Sequence, residues 1–162
     1  MVSENNTWIP AIAAYRGYCR CAKARDFGGL CHSRQFMKSN RNILIIEDDE
    51  HVAVMMVQML SQAGCNVLAV HSGKKGMELA LENSFDLIAL DVGLSDVSGF
   101  DICRELKQRH ISRHTPVVFV SGQSDQQNVR RGLELGAVDY IPKPFTSTDL
   151  VYRLLSHIKN KA

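Results

Sequence analysis

Short apolar runs alternate with longer segments from about residue 43 onward. In the longer segments apolar residues recur every three or four positions, which is helical spacing, whereas the short runs have the length of buried strands. Strands that alternate with helices are typical of an α/β protein with a parallel sheet covered on both faces. We predict strands at 43–46, 66–70, 87–90, 116–120 and 140–141, and helices at about 52–63, 72–82, 98–108, 125–135 and 149–159.

Composition and charge narrow the class of protein. With 45% hydrophobic and 22% charged residues, the chain has the balance of a soluble globular protein. No apolar segment reaches the roughly 18 residues of a membrane-spanning helix, so we expect no membrane span. Cys65 and Cys103 fall in apolar or helical segments, which suits free cysteines in a reducing compartment, and we therefore expect a cytoplasmic protein. Residues 1–41 carry seven basic and two acidic residues (net +5), and 42–162 carry 12 and 15 (net −3). The basic residues are scattered, which is typical of solvated charge.

The first part of the chain holds four soft metal ligands. One pair is separated by a single residue, and the members of the other pair are adjacent. Structural zinc sites usually space each ligand pair by two to four residues, so the spacing argues against zinc and leaves it open. The four ligands are Cys19, Cys21, Cys31 and His32.

Residues 1–38 do not show the alternation of strands and helices. Met37 stands shortly before the first predicted strand, where a natural start of translation would lie. We predict a poorly ordered extension at 1–38, whose first 36 residues lie upstream of a natural start at Met37, and a single domain at 39–162.

Polar residues follow four of the predicted strands. Glu47 and Asp48 follow the first, Asp91 the third, Ser121 the fourth and Lys143 the fifth. Right-handed crossovers make the strands parallel, and their carboxyl ends then meet at the edge where open α/β sheets bind ligands. Taken singly, each residue has an ordinary explanation as a helix cap, a turn residue or a solvated charge. Their position at four strand ends together favours a shared site.

Carboxylates that converge at this edge repel one another unless a proton or a cation neutralises them. At about 5 Å and an effective dielectric constant near 20, each pair costs roughly 3 kcal/mol. A hard divalent cation relieves this repulsion, and Mg²⁺ suits one or two carboxylates combined with waters and phosphate oxygens. Asp91 is then placed to attack a phosphoryl donor, with Lys143 and the Ser121 hydroxyl binding the phosphoryl oxygens.

Four motifs resemble the receiver domain of bacterial two-component response regulators, over essentially all of 41–161. The resemblance implies a flavodoxin-like, doubly wound sheet of five parallel strands in the order 2-1-3-4-5, with five helices. It also implies a phosphorylation-dependent switch in a phosphorelay. The motifs are Ile-Leu-Ile-Ile-Glu-Asp-Asp-Glu at 43–50, Asp-Leu-Ile-Ala-Leu-Asp at 86–91 with Gly99 eight residues later, Val-Phe-Val-Ser-Gly at 118–122, and Gly-Ala-Val-Asp-Tyr-Ile-Pro-Lys-Pro-Phe at 136–145.

The resemblance also assigns the acidic residues. Asp91 matches the residue that accepts the phosphoryl group from a sensor histidine kinase or a histidine phosphotransfer protein. Glu47 and Asp48 match the acid pair of the Mg²⁺ site. Asp48 and Asp91 are expected as direct ligands, together with the backbone carbonyl of Gly93.

The remaining positions match the switch. Ser121 matches the hydroxyl that bonds the phosphoryl group, Tyr140 the aromatic switch, and Lys143 the phosphate-binding lysine, which is expected to precede a cis peptide bond to Pro144. Phosphorylation is expected to draw Ser121 and Lys143 inward, so that Tyr140 turns into the vacated space. The surface of the fourth helix, fifth strand and fifth helix then changes its partners, which include a second copy of the chain.

Two departures from the family pattern lie after the phosphoacceptor. Leu94-Ser95 replaces the usual Met-Pro, which should loosen the loop without removing a ligand. Gly93 offers no side chain to orient an attacking water, although Gln123 is close enough in sequence to Ser121 to do so. We predict slow hydrolysis of the phosphoryl group.

Three functional readings stay open. Because the chain ends near the fifth helix, we expect a stand-alone receiver with an unknown downstream protein target and no direct DNA binding. We expect no enzyme activity beyond self-catalysed phosphoryl acceptance and slow autodephosphorylation. The two alternatives to a switch are a phosphatase of similar sheet topology and a phosphorylation-independent interaction domain. The phosphatase should carry a second aspartate at the position of Gly93, and the interaction domain should have lost one of the acids or Lys143. The sequence has glycine at 93 and keeps the acids and Lys143.

Overall fold

The computed structural model describes residues 41–109 and 114–158; the N-terminal extension and its four soft ligands lie outside the described residues. Strands and helices alternate strictly along the described chain. The strands are β1 (Asn42–Ile46), β2 (Asn66–Val70), β3 (Leu87–Leu90), β4 (Val117–Ser121) and β5 (Asp139–Pro142). The helices are α1 (Glu50–Gln62), α2 (Gly73–Glu82), α3 (Gly99–Gln108), α4 (Gln126–Glu134) and α5 (Ser147–Ser156).

The five strands form one parallel sheet in the order β2-β1-β3-β4-β5, which confirms the predicted flavodoxin-like topology. β1, β3 and β4 lie inside the sheet, and their residues from Ile43 to Ile46, Leu87 to Leu90 and Val117 to Val120 are at most 1% exposed. Burial on both faces explains why these strands read as continuous apolar runs rather than as alternating patterns.

Successive strand residues point to opposite faces, and each face has its own core. Leu44, Leu90 and Phe119 pack against α2, α3 and α4 on one side. Ile45 and Val120 pack against α1 and α5 on the other. Cys65 and Cys103 are free and buried in these cores, so both behave as small apolar side chains.

Each helix begins at a polar N-cap, which is Ser72 for α2 and, of the two candidates Ser124 and Asp125 that the sequence offers, Asp125 for α4. α5 begins earlier than predicted, because the Thr146 side chain accepts from the backbone N–H of Asp149 and so caps the helix. Gly64 and Gly136 follow α1 and α4 with positive φ, in the conformation that favours glycine. Among the described residues, no helix is long and apolar enough to cross a membrane.

Candidate functional site

The carboxyl ends of β1, β3, β4 and β5 form one edge of the sheet. The last residues of β1 and β3 pair in register, and so do those of β4 and β5. Glu47 follows β1, Asp91 follows β3, Ser121 closes β4 and Lys143 lies directly after β5. The structure therefore brings the predicted strand-end residues together at one edge.

Three carboxylates lie at the centre of this edge. One oxygen each from Glu47, Asp48 and Asp91 falls within 4.8 Å of the other two. Glu47 is only 1% exposed and Asp91 only 8% exposed, so neither negative charge is well solvated. Asp49, the residue after Asp48, is the N-cap of α1, and its side chain accepts from backbone N–H groups of the first turn.

Lys143 lies between two of these acids. Its Nζ is 2.6 Å from Oε2 of Glu47 and 3.0 Å from Oδ2 of Asp91. Burial alone would lower the pKa of Lys143, but the two ion pairs raise it above its usual value, so the ammonium stays charged. The Lys143-Pro144 peptide bond is cis, as the resemblance implied.

The two acids that share Lys143 differ in their pKa. Withdrawal from water, reinforced by the nearby charge of Asp91, raises the pKa of Glu47 to about 7. Burial would also raise the pKa of Asp91, but hydrogen bonds from Ser121 and Lys143, with a further one from Gly93, outweigh it and hold the pKa below its usual value. Asp91 is therefore ionised at neutral pH.

Ser121 and Gly93 support the Asp91 carboxylate. Ser121 is 1% exposed, and its hydroxyl oxygen accepts from the backbone N–H of Gln123 at 3.3 Å. The backbone N–H of Gly93 donates to Oδ1 of Asp91 at 3.2 Å. The predicted use of the Gly93 carbonyl as a metal ligand stays a prediction.

Tyr140 occupies the inner position, which the resemblance implied for the phosphorylated state. It is 5% exposed, and its hydroxyl donates to the backbone carbonyl of Gln123 at 2.5 Å. The ring packs on Phe119 with centroids 5.5 Å apart. α4 comes close to both rings at Gly132, where a Cβ would lie 2.9 Å from Phe119 and 3.1 Å from Tyr140.

The donor set fits a hard divalent cation. Oε1 of Glu47 is buried and, within the described residues, has no hydrogen-bond partner. Buried carboxylate oxygens normally have a partner, and oxygen atoms are the ligands that Mg²⁺ prefers. Glu47, Asp48 and Asp91 are therefore the residues that could hold the metal.

The sequence analysis missed the contacts of Asp96, which lies in the loop between Asp91 and α3. Its carboxylate accepts from the Ser72 hydroxyl and from the backbone N–H groups of Gly73 and Lys74, at 2.9, 2.9 and 3.0 Å. These bonds hold the pKa of Asp96 down to about 2, even though partial burial acts in the opposite direction. They tie the loop that follows Asp91 to the start of α2.

Comparison with known protein families agrees with this geometry. Residues 43–155 match the model of the response regulator receiver domain. The chain belongs to this family. Among curated relatives, this receiver domain is 38% identical over 112 residues to the transcriptional regulatory protein CpxR of Klebsiella pneumoniae, covering 69% of this chain and 47% of that protein. The chain spans about half the length of the curated relatives it matches.

Solved receiver domains share the fold. The non-phosphorylated HemR receiver domain from Leptospira biflexa has a TM-score of 0.69 at 32% identity, over 76% of this chain and 98% of that one. The receiver domain of a sensor histidine kinase from Pseudomonas aeruginosa has a TM-score of 0.68 at 25% identity, over 73% and 97%. That structure contains a magnesium ion coordinated in its active-site cleft.

Proposed function

We propose that this receiver domain is a phosphorylation-dependent switch of a bacterial two-component phosphorelay in the cytoplasm. Asp91 accepts the phosphoryl group from a sensor histidine kinase or a histidine phosphotransfer protein. The observation that carries the proposal is a buried and ionised Asp91 that contacts Lys143 and adjoins two further acids. A carboxylate in this environment is a nucleophile with a cation already beside it.

Phosphoryl transfer to Asp91 depends mainly on position and charge neutralisation. Glu47, Asp48 and Asp91 would hold Mg²⁺, which when bound neutralises charge on the phosphoryl oxygens. A carboxylate oxygen of Asp91 forms the new bond to phosphorus, and the bond from phosphorus to the donor breaks, its electron pair leaving with the donor. Lys143 pairs with a phosphoryl oxygen in place of one of its present carboxylate partners. The domain turns over no other substrate and only releases the phosphoryl group by slow hydrolysis.

In this proposal, phosphorylation of Asp91 changes the protein surface through Ser121 and Tyr140. When Ser121 bonds the phosphoryl group, it is drawn towards Asp91, and the inner position of Tyr140 is stabilised behind it. Leu133 of α4, Val138 directly before β5 and Tyr152 of α5 are 47, 42 and 74% exposed and supply apolar contacts for a partner. We propose this face as the binding site for a downstream protein or a second copy of the domain.

Intact mass spectrometry tests the proposal. The chain is incubated with Mg²⁺ and acetyl phosphate beside an Asp91→Asn variant and an Asp101→Asn control, which changes an exposed carboxyl on α3. We expect one phosphoryl adduct on the unchanged chain and on the control, and none on Asp91→Asn. An adduct on Asp91→Asn would refute Asp91 as the acceptor.

A second candidate function is a phosphorylation-independent interaction domain. It is favoured by the inner position of Tyr140, because a switch that already holds this position needs no phosphoryl group to present the corresponding surface. No adduct on any of the three proteins would support this candidate.

A further inference from the structure

The acidic turn after β1 is held in place by the edge strand β2. The backbone N–H of Glu47 donates to the carbonyl of Val70 at 3.0 Å and continues the pairing of the two strands. The backbone carbonyl of Glu47 accepts from Nδ1 of His71 at 2.9 Å. Because a carbonyl oxygen can only accept, the hydrogen of the neutral imidazole lies on Nδ1. Both backbone groups of Glu47 are therefore bound by two consecutive residues, the last of β2 and the one after it.

The Glu47 carbonyl belongs to the peptide group that leads into Asp48. Asp48 supplies one of the three carboxylates of the candidate metal site, yet within the described residues no hydrogen bond or ion pair holds its carboxylate. The position of Asp48 is therefore set by the backbone on either side. On one side His71 binds the Glu47 carbonyl, and on the other Asp49 is fixed as the N-cap of α1.

The turn from β2 to α2 contacts both loops that carry acids of this site. His71 binds the turn after β1, and the next residue, Ser72, is the N-cap of α2. The Ser72 hydroxyl and the first two N–H groups of α2 donate to Asp96, in the loop that follows Asp91. The β2–α2 turn supplies no carboxylate to the acidic cluster. Its contacts instead hold the two segments that do.

We propose that His71 is a positioning residue of the Mg²⁺ site and acts through the peptide group between Glu47 and Asp48. The inference rests on the proposed function, in which Glu47, Asp48 and Asp91 hold Mg²⁺. The Nδ1–H of His71 fixes the carbonyl of Glu47 and with it the direction from which Asp48 presents its carboxylate. Mg²⁺ demands near-octahedral geometry, so a ligand that is free to turn binds it more weakly. Loss of a group that orients a metal ligand typically costs about 10- to 100-fold in metal affinity.

Substitutions at His71 separate the hydrogen bond from the bulk of the side chain. His71→Leu removes the donor and keeps a branched side chain, His71→Ala removes both, and His71→Asn keeps an N–H donor as many bonds from the backbone as Nδ1. His51→Leu is the matched control, because it removes an exposed imidazole from the first turn of α1 and leaves His71 in place. For each protein, isothermal titration calorimetry gives the dissociation constant of Mg²⁺. The rate of adduct formation with acetyl phosphate is measured over a range of Mg²⁺ concentrations.

We expect His71→Leu and His71→Ala to raise the dissociation constant of Mg²⁺ about tenfold, and His71→Asn to stay close to the unchanged chain. The Mg²⁺ concentration that gives half the maximal adduct rate should rise in the same proportion, whereas the rate at saturating Mg²⁺ should stay the same. His51→Leu should bind Mg²⁺ like the unchanged chain.

Equal Mg²⁺ affinity in the unchanged chain and in His71→Leu or His71→Ala would overturn the inference. Equal weakening in His71→Asn would do so too, because the donor would then not matter. A lower adduct rate that saturating Mg²⁺ does not restore would assign His71 a general structural role and would also contradict the inference. If the unchanged chain itself binds no Mg²⁺, the proposed metal site fails and this inference with it.

Discussion

The ends of β1 and β3 place two carboxylates on one lysine, yet the two acids are held in opposite ways. Asp91 accepts hydrogen bonds from Lys143 and Gly93 and interacts with Ser121, and its pKa lies below the usual value. Glu47 has only its Oε2 bound to Lys143, while Oε1 is buried without a partner in the described chain, and its pKa rises to about 7. Burial acts on both acids; the donors around Asp91 outweigh it, whereas at Glu47 burial and the nearby charge of Asp91 prevail.

The contrast gives the two acids different roles in the proposed site, although both were predicted as residues of one acidic cluster. Asp91 is supplied with enough donors to remain ionised, which a nucleophile requires. Glu47 has Lys143 beside it, yet burial and the charge of Asp91 still raise its pKa, so a further cation would stabilise its negative charge. We therefore interpret Asp91, at the end of β3, as the reactive residue and Glu47, at the end of β1, as the residue whose charge a bound metal ion would stabilise.

Loss of Lys143, the cation that pairs with both Glu47 and Asp91, should have the largest effect on stability. Lys143→Met leaves both buried acids without their ion pair, and we expect the free energy of unfolding to fall by about 3 kcal/mol at pH 8 without Mg²⁺. At pH 5 Glu47 can take up a proton, so the loss should be smaller. Urea unfolding measures both values. The control Lys75→Met, which removes an exposed ion pair, should change stability by less than about 1 kcal/mol; equal losses would contradict the account.

The raised pKa of Glu47 should appear in the pH dependence of stability. Its pKa is about 7 in the folded chain against a usual value of 4.5, so folding takes up protons between these pH values. The free energy of unfolding should therefore fall as the pH rises from 4.5 to 7, by up to about 3 kcal/mol. Asp91 adds nothing in this window, because its lowered pKa affects stability only in acid.

Glu47→Gln isolates this contribution. Without Mg²⁺ the variant should show a flatter stability profile between pH 4.5 and 7, whereas Glu78→Gln, which changes an exposed carboxyl, should keep the slope of the unchanged chain. Added Mg²⁺ should stabilise the unchanged chain more as Glu47 ionises, and the variant less. A slope that survives in Glu47→Gln would place the titrating group elsewhere.

Loosening the loop after β3 should have a smaller effect. Asp96→Ala removes the acceptor of three hydrogen bonds at the start of α2 and leaves the N-cap Ser72 in place, so we expect the free energy of unfolding to fall by about 1 kcal/mol. Thermal unfolding should show a lower midpoint, with a slower reaction of Asp91 because its loop is no longer tied to α2. Asp101→Ala, on the exposed side of α3, is the control and should leave both unchanged.

The smallest change, without loss of stability, is expected at Gly93. The position is exposed, and an added Cβ would meet only the flexible end of Gln123 at 3.3 Å. Gly93→Asn supplies an amide that can orient an attacking water, so the phosphoryl lifetime should shorten several-fold. Loss of the adduct followed by mass spectrometry gives this lifetime. An unchanged lifetime would refute the prediction that Gly93 slows hydrolysis.

Much of the fold follows from local pattern. The buried strands are continuous apolar runs that end on polar residues, so Leu87 to Leu90 and the position of Asp91 were predictable from spacing alone. Ser72 and Gly136 mark helix ends through capping chemistry that depends only on neighbours in the sequence. Parallel pairing then brings the strand ends together.

The features that the sequence did not predict depend on contacts between distant residues. Asp96 supports the start of α2 from 22 to 24 residues away, and its sequence neighbours give no sign of this. The cation–π contact of Arg131 with Phe100 joins two helices, and the opposite pKa directions of Glu47 and Asp91 depend on counting donors in three dimensions. A motif shows which residues meet, but it does not show how many hydrogen bonds each one receives.

Mapping the acyl phosphate to a single residue tests the central claim most directly. The chain is treated with Mg²⁺ and acetyl phosphate and reduced with borohydride, which converts an aspartyl phosphate to homoserine, and its peptides are then sequenced by mass spectrometry. We predict homoserine at position 91 and an unmodified Glu47. Reduction at Glu47 or at any other acid, with Asp91 unchanged, would contradict the assignment of the reactive position to the end of β3.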